Sequence, residues 1–265
     1  MTDDLADFER TTFSAEGTPR TVYRKGTGPA VIVMAEIPGI TPHVADFARR
    51  VAEIGCTVWL PVLFGRPGAE PSATRMVRSI APACVSSEFS AFAMGRTSPV
   101  VTWLRDLARH AHEECGGPGV GAVGMCFTGG FALGMMVDDR MLAPVLSQPS
   151  LPIALPGRSA AKADLHLSPA DLARVKERAA EGVCVLGLRF TGDPLSPPER
   201  FETLRTELGD AFIGVEIDSS PGNPGGFRKL AHSVLTEDLD DVPGNPTHDA
   251  LEQVLSFFAD RLLVP

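Results

Sequence analysis

Apolar and polar positions along the chain alternate between two periods, and the alternation predicts an ordered series of strands and helices. "RTTFSAEGTPRTVYR" reads as two strands around a Glu-Gly-Thr-Pro turn. "GPAVIVMAEI" is a continuous apolar run bounded by Gly and Pro, the pattern of a strand buried on both faces. "HVADFARRVAEIG" carries apolar residues at helical spacing and stops at Gly55. "CTVWLPVLF" is the next strand, and "PVVTWLRDLARHAHEEC" an amphipathic helix that ends at Gly-Gly-Pro. "GVGAVGM" is then a strand, "TGGFALGMMVDD" a helix and "LAPVLSQPS" a strand.

Further along, Ser168 caps a helix "SPADLARVKERAAEG" with Pro169 at its first position and Asp171 in its first turn. Strand "CVLGLRFTGD", helix "PPERFETLRTELG", strand "AFIGVEI" and closing helix "THDALEQVLSFFADRLL" complete the series. Buried strands alternating with helices imply an α/β fold, with a mostly parallel sheet covered on both faces. No composition break divides the alternation, so one domain is expected over residues 1–265, with residues 1–26 as an N-terminal β-hairpin extension of the sheet.

Composition narrows the function. Hydrophobic residues make up 44% of the 265 and charged residues 22%, as in an ordinary soluble globule. The formal net charge of −9 repels phosphate backbones and argues against a nucleic-acid partner. The start "MTDDLADFERTTF" has no apolar core segment, and no apolar run reaches the length of a membrane span; a cytoplasmic protein without a membrane partner is expected. The five cysteines are scattered and form no C-x-x-C pair, which argues against a disulfide framework or a cysteine-built zinc site. His110 and His112 in "HAHEEC" lie two apart on a helix and face differently, so they do not make a metal pair.

One cysteine stands apart. In "GAVGMCFTGGFALGM" Cys126 sits at the turn between a buried strand and a helix, flanked by Gly124 and by Thr128 to Gly130. Strand, tight turn with small flanking residues, helix is the layout of a nucleophile elbow. The helix N-terminus favours a thiolate, and the backbone N–H of Phe127 becomes an oxyanion donor. The glycine spacing of a dinucleotide-binding turn is absent.

An elbow needs a base and an orienting acid, in the order nucleophile, acid, histidine. Three histidines follow Cys126: His166, His232 and His248. His232, in "KLAHSVLTED", follows the last strand and is the candidate base, ahead of His248 at the start of the closing helix. Asp193 ends a strand on the same rim as Cys126; its competing reading is an N-cap of the next helix, for which Ser196 is an equally good cap. Glu36 ends a buried strand, where a charge needs a partner or a task. Ile37 then occupies the loop that supplies the second oxyanion N–H in α/β-hydrolases. Arg189, inside a strand, is expected at an edge or paired.

Together "AEIPGI", "GMCFTGG", "FTGDPLSP" and "AHSVL" resemble the dienelactone hydrolase family of α/β-hydrolases, from the strand at Ala30 to the closing helix. The resemblance implies an α/β-hydrolase fold with Cys126 as nucleophile, His232 as base, Asp193 as orienting acid and Glu36 in contact with the thiol. It implies an oxyanion hole of the Phe127 and Ile37 N–H groups, and no metal or organic cofactor. The implied partner is a small-molecule ester or lactone; a monomer or homodimer is expected. The chain departs from the family at Met125, where tyrosine is frequent, and at Thr128, where glycine is usual. "HSVLTED" also lacks the arginine that dienelactone-specific members use for a substrate carboxylate; Arg96 is the remaining candidate anion binder. Two other readings stay open at this point: a hydrolase scaffold that binds a small ligand without turnover, and a thiol redox protein using Cys126.

Overall fold

The computed structural model describes residues 2–70, 98–151 and 160–264. Their strands join one eight-stranded sheet: β1 (Glu9–Ala15), β2 (Thr18–Gly26), β3 (Ala30–Met34), β4 (Thr57–Pro61), β5 (Val120–Met125), β6 (Met141–Ser147), β7 (Val185–Phe190) and β8 (Phe212–Ile217). The spatial order is β1-β2-β4-β3-β5-β6-β7-β8. The hairpin β1–β2 attaches antiparallel to β4, and every other neighbouring pair is parallel. This is the α/β-hydrolase arrangement that the alternation and the resemblance lead one to expect.

Helices cover both faces: α1 (Pro42–Glu53), α2 (Pro99–Cys115), α3 (Gly129–Met135), the short α4 (Ala160–Ala163), α5 (Pro169–Ala180), α6 (Pro198–Leu208) and α7 (Pro246–Leu262). Their starts are chemically marked. The Thr41 hydroxyl accepts the Val44 N–H ahead of α1, and the Ser168 hydroxyl accepts the Asp171 N–H ahead of α5. One core layer packs α2, α3 and α6 on the sheet around Trp59, Trp103, Phe131 and Phe201; the other packs α1 and α7 around Phe47, Val51, Leu251 and Phe258. β3, β4 and β5 are buried at every position, which is why they read as unbroken apolar runs.

Two local expectations need correcting. The helix after Cys126 is shorter than its pattern suggests, because its first turn is a 3₁₀ turn over Cys126–Thr128 and it stops at Met135. Tight bonds from the Met136 N–H to the Leu133 carbonyl and from Asp138 to Met135 then turn the chain into β6. Ser196 does not cap α6: the residue preceding that helix is Pro197, and the buried Ser196 hydroxyl has no hydrogen bond within the described residues.

The strand order reverses at β3, whose partners β4 and β5 lie on opposite sides. In an open α/β sheet the crevice beyond such a reversal is where ligands bind. Met34 pairs with Gly124, so Glu36 and Cys126 each lie two residues beyond that pair, at the ends of adjacent strands. Cys126 is held at φ +53°, a left-handed conformation that costs a non-glycine residue roughly 1–2 kcal/mol. Its neighbours make room for it: a Cβ at Gly124 would lie 2.1 Å from the Thr128 carbonyl oxygen, and one at Gly129 2.5 Å from Pro149 Cα.

Thr128, where the family that the sequence resembles usually has glycine, knits this turn together. Its buried hydroxyl accepts the Met125 N–H at 2.9 Å and donates to the Met34 carbonyl at 2.9 Å, tying the elbow to the end of β3. Thr128→Val keeps the shape and removes both bonds, so urea unfolding should register a loss of about 1–3 kcal/mol. Thr128→Ser should retain most of the stability; equal losses in the two variants would contradict the bonding role.

Candidate active site

Four strand ends deliver the expected residues. β3 leads to Glu36 and Ile37, β5 to Cys126 and Phe127, β7 to Asp193, and β8 through a long loop to His232. Asp193 and His232, 39 residues apart in sequence, meet: His232 Nδ1 lies 2.7 Å from Asp193 Oδ2. The other Asp193 oxygen accepts the Leu195 N–H at 2.9 Å, so the carboxylate turns its own loop and faces the imidazole instead of capping α6.

The Asp193 side chain is 1% exposed and that of His232 17%. Burial alone would push the His232 imidazole down, but the Asp193 hydrogen bond and the Cys126 thiol beside the ring outweigh it and raise it to about 11. His232 Nε2 is buried and makes no hydrogen bond within the described residues. Cys126 is half-buried. Cys56, by contrast, is buried in the core, where desolvation pushes its thiol up to about 11.

Glu36 is 4% exposed, and three neutral side chains satisfy it. Ser233 Oγ donates at 2.7 Å, Gln148 Nε2 at 3.4 Å, and the Thr236 hydroxyl donates to the other carboxylate oxygen. Gln148 itself sits at φ +35° beyond the end of β6, and the Ser150 N–H two residues on bonds the Cys126 carbonyl at 3.0 Å. One buried polar chain thus runs from the elbow through the end of β6 to Glu36 and on to the residue after His232. Ile37 is half-buried and Phe127 buried, next to Glu36 and Cys126 respectively. The Phe127 ring meets Phe64 edge-on at 5.6 Å, an aromatic wall beside the turn.

The other histidines lie elsewhere. His248 Nδ1 pairs with Asp241 at 3.0 Å. His166 is 1% exposed, and burial pushes its imidazole down to about 4. His110 pairs with Glu114 and stacks on Phe13. Arg96 lies outside the described residues. Among the described residues no cluster of His, Cys, Asp and Glu suits a metal ion, and no helix is long and apolar enough to cross a membrane.

Two residues with a clear part in the geometry escape sequence reasoning. Arg189 is paired, as expected, but it also braces the acid's loop: its guanidinium donates to the Thr191 and Ser196 carbonyls on either side of Asp193 and pairs with Glu216. Asp238 accepts the backbone N–H groups of His232 and Ser233. A carboxylate six residues after a candidate histidine is a local signal, because Asp often bonds nearby backbone N–H groups. Nothing in the sequence distinguishes Asp238 from Glu237 or Asp240.

Similar folds are known. A protein of Klebsiella pneumoniae subsp. pneumoniae MGH 78578, provisionally called a dienelactone hydrolase, superposes with a TM-score of 0.64 at 19% identity, covering 95% of this chain and 98% of its own. The dienelactone hydrolase-like promiscuous phosphotriesterase P91, from metagenomic libraries, gives 0.63 at 16% identity, with 96% and 98% covered. Dienelactone hydrolase from Anabaena variabilis ATCC 29413 gives 0.60 at 15% identity, with 97% and 99% covered. No curated protein sequence matches the chain. At these identities the superpositions speak for the fold, and the family model speaks for descent: the dienelactone hydrolase family model matches residues 17–262. With that match spanning β2 to β8 and all four strand ends of the site, the chain belongs to the dienelactone hydrolase family and is an ester hydrolase.

Proposed function

We propose that the chain cleaves a small carboxylic ester or lactone by two-step acyl transfer through Cys126. The observation that carries this reading is the 2.7 Å contact between Asp193 and His232 Nδ1, with the bare Nε2 left to a cysteine on a strained turn. A buried aspartate that fixes one face of an imidazole serves to orient it and to stabilise its charged form.

The raised His232 value makes the resting partner of Cys126 an imidazolium. The thiolate attacks the substrate carbonyl, and the developing oxyanion takes hydrogen bonds from the N–H groups of Ile37 and Phe127. As the tetrahedral intermediate collapses, His232 gives its proton to the leaving alcohol oxygen and becomes neutral. Water then loses a proton to His232 as it attacks the thioester, and the acid leaves with the thiolate restored. Asp193 keeps the Nδ1 proton in place throughout. The step needs no metal or organic cofactor. Glu36 lies at the strand end beside the elbow, and the polar chain that joins them holds the turn that carries Cys126. The arginine of dienelactone-specific members is absent from "HSVLTED", so a dienelactone substrate does not follow from the family.

Stopped-flow release of p-nitrophenol from p-nitrophenyl acetate is the direct assay. Wild type should give a burst that Cys126→Ala abolishes, and His232→Ala should lower kcat/KM by at least about 10³-fold. His248→Ala should stay within about twofold, since its partner is Asp241. A burst that survives Cys126→Ala would sink the proposed nucleophile.

The charge state of the base is also measurable. Because its folded value is raised, His232 stays protonated as pH climbs past the ordinary imidazole value of about 6.5. Its ring NMR signals should therefore be flat across roughly pH 5 to 8 in wild type. Asp193→Asn removes the hydrogen bond that holds the proton, so in that variant the ring should titrate inside this window and kcat should fall. The same raised value makes the pair a stabilising element that is fully present below about pH 6.5, declines as pH rises above it and is gone by about pH 11. A wild-type titration centred near the ordinary value would contradict the ion-pair reading.

A further inference from the structure

The segment that delivers His232, from Arg228 to Leu239, contains turns but no helix or strand. Regular backbone bonding therefore does not hold the imidazole in place, and the loop's N–H groups need other acceptors. Two carboxylates supply the grip. Glu36 takes the side-chain hydroxyls of Ser233 and Thr236. Asp238 takes the main chain itself: one of its oxygens accepts the His232 N–H at 2.8 Å and the Ser233 N–H at 3.1 Å. The Asp238 N–H returns to the Ser233 carbonyl at 3.0 Å, which closes residues 233–238 into a ring. The same carboxylate pairs with Arg228 at 3.0 Å.

The two kinds of contact differ in weight. The Asp238 side chain is 11% exposed, whereas the Arg228 side chain is 68% exposed. An ion pair whose cation stands in water contributes little. Bonds from a shielded carboxylate to main-chain N–H groups are charge-assisted and directional. Burial pushes the Asp238 carboxyl up, but Arg228 and the two N–H groups outweigh it and hold it below the usual carboxylate range.

We propose that Asp238 is a positioning residue for the reaction. By accepting the main-chain N–H groups of His232 and Ser233, it sets the direction in which His232 leaves the backbone, so that Nδ1 meets Asp193 while Nε2 faces Cys126. The inference rests on His232 being the base. Asp238 acts through His232 alone and touches no substrate. Such geometry is costly to lose, since a displacement of about 1 Å in a catalytic group can lower a rate by about 10²-fold.

The test combines kcat and KM for p-nitrophenyl acetate with the downfield proton NMR signal of the His232 Nδ1–H. Asp238→Ala should lower kcat by about 10²-fold with KM within about threefold, and should shift or broaden that signal. Asp238→Asn keeps an oxygen able to accept both N–H groups, so it should lose only about tenfold. Arg228→Ala removes the exposed ion pair alone and should stay within about threefold.

Asp238→Ala and Asp238→Asn that both keep wild-type kcat and an unmoved Nδ1–H signal would overturn the proposal. So would an Arg228→Ala loss as large as that of Asp238→Ala, which would make the ion pair the working contact. If Asp238→Ala does not fold, Asp238→Asn decides on the same two readouts. His232→Ala is measured alongside. Crippled His232→Ala with unaffected Asp238 variants defeats this inference alone, whereas fully active His232→Ala defeats the reading of His232 as base and this inference with it.

Discussion

The turn at Cys126 is the constraint on which the rest of the molecule depends. A cysteine at φ +53° between a buried strand and a buried helix is unfavourable on its own. It persists because its surroundings leave the backbone no alternative. Gly124 and Gly129 admit the close approach of Thr128 and Pro149, and the Thr128 hydroxyl binds the turn to the end of β3. The strain presents a thiol at the sheet's topological switch point, with a helix N-terminus behind it. In a parallel sheet the neighbouring strand ends open on the same side, so the residues that follow β3, β6, β7 and β8 can all converge there.

Convergence by itself yields four flexible loops, and buried charge is what makes them rigid. Asp193, almost fully shielded from water, demands a partner and finds the imidazole of His232. Arg189 holds the acid's loop through two carbonyls, and Glu36 gathers hydroxyls from the base's loop and an amide from the end of β6. Asp193 and Glu36 are each met by side chains from a different strand end. Removing one partner would leave its mate buried and uncompensated, a far larger penalty than losing a surface pair. In the proposed reaction the same feature serves catalysis: an imidazolium favoured by Asp193 on one nitrogen and by the Cys126 sulfur beside the ring is ready to give its proton to a leaving alcohol.

Much of this was legible in the chain. Unbroken apolar runs marked the buried strands, and the cap Ser168 and the stop at Gly55 marked helix ends. The small residues around Cys126 marked the elbow, and the order of Asp193 and His232 marked the pair that the fold brings together. What was not legible depends on contacts between distant residues. Thr128 looked like a departure from its family, yet its hydroxyl bonds a carbonyl 94 residues away. Glu36 was expected against the thiol, while the hydrogen bonds of its carboxylate run to Ser233 and Thr236, about 200 residues on, and to Gln148. Ser196 read as a helix cap, but Pro197 takes that place and leaves the serine buried. Composition and periodicity report burial and local geometry; they do not report which distant loop supplies a hydrogen bond.

The central claim is that catalysis passes through a thioester on Cys126. Rapid acid quenching during turnover of p-nitrophenyl acetate, followed by peptide mass analysis, tests it most directly. The account predicts an acetyl adduct on the peptide carrying Cys126, formed within the burst and lost as the ester is exhausted. Steady turnover with Cys126 unmodified, or an acetyl group on another residue that forms and decays at the turnover rate, would contradict it.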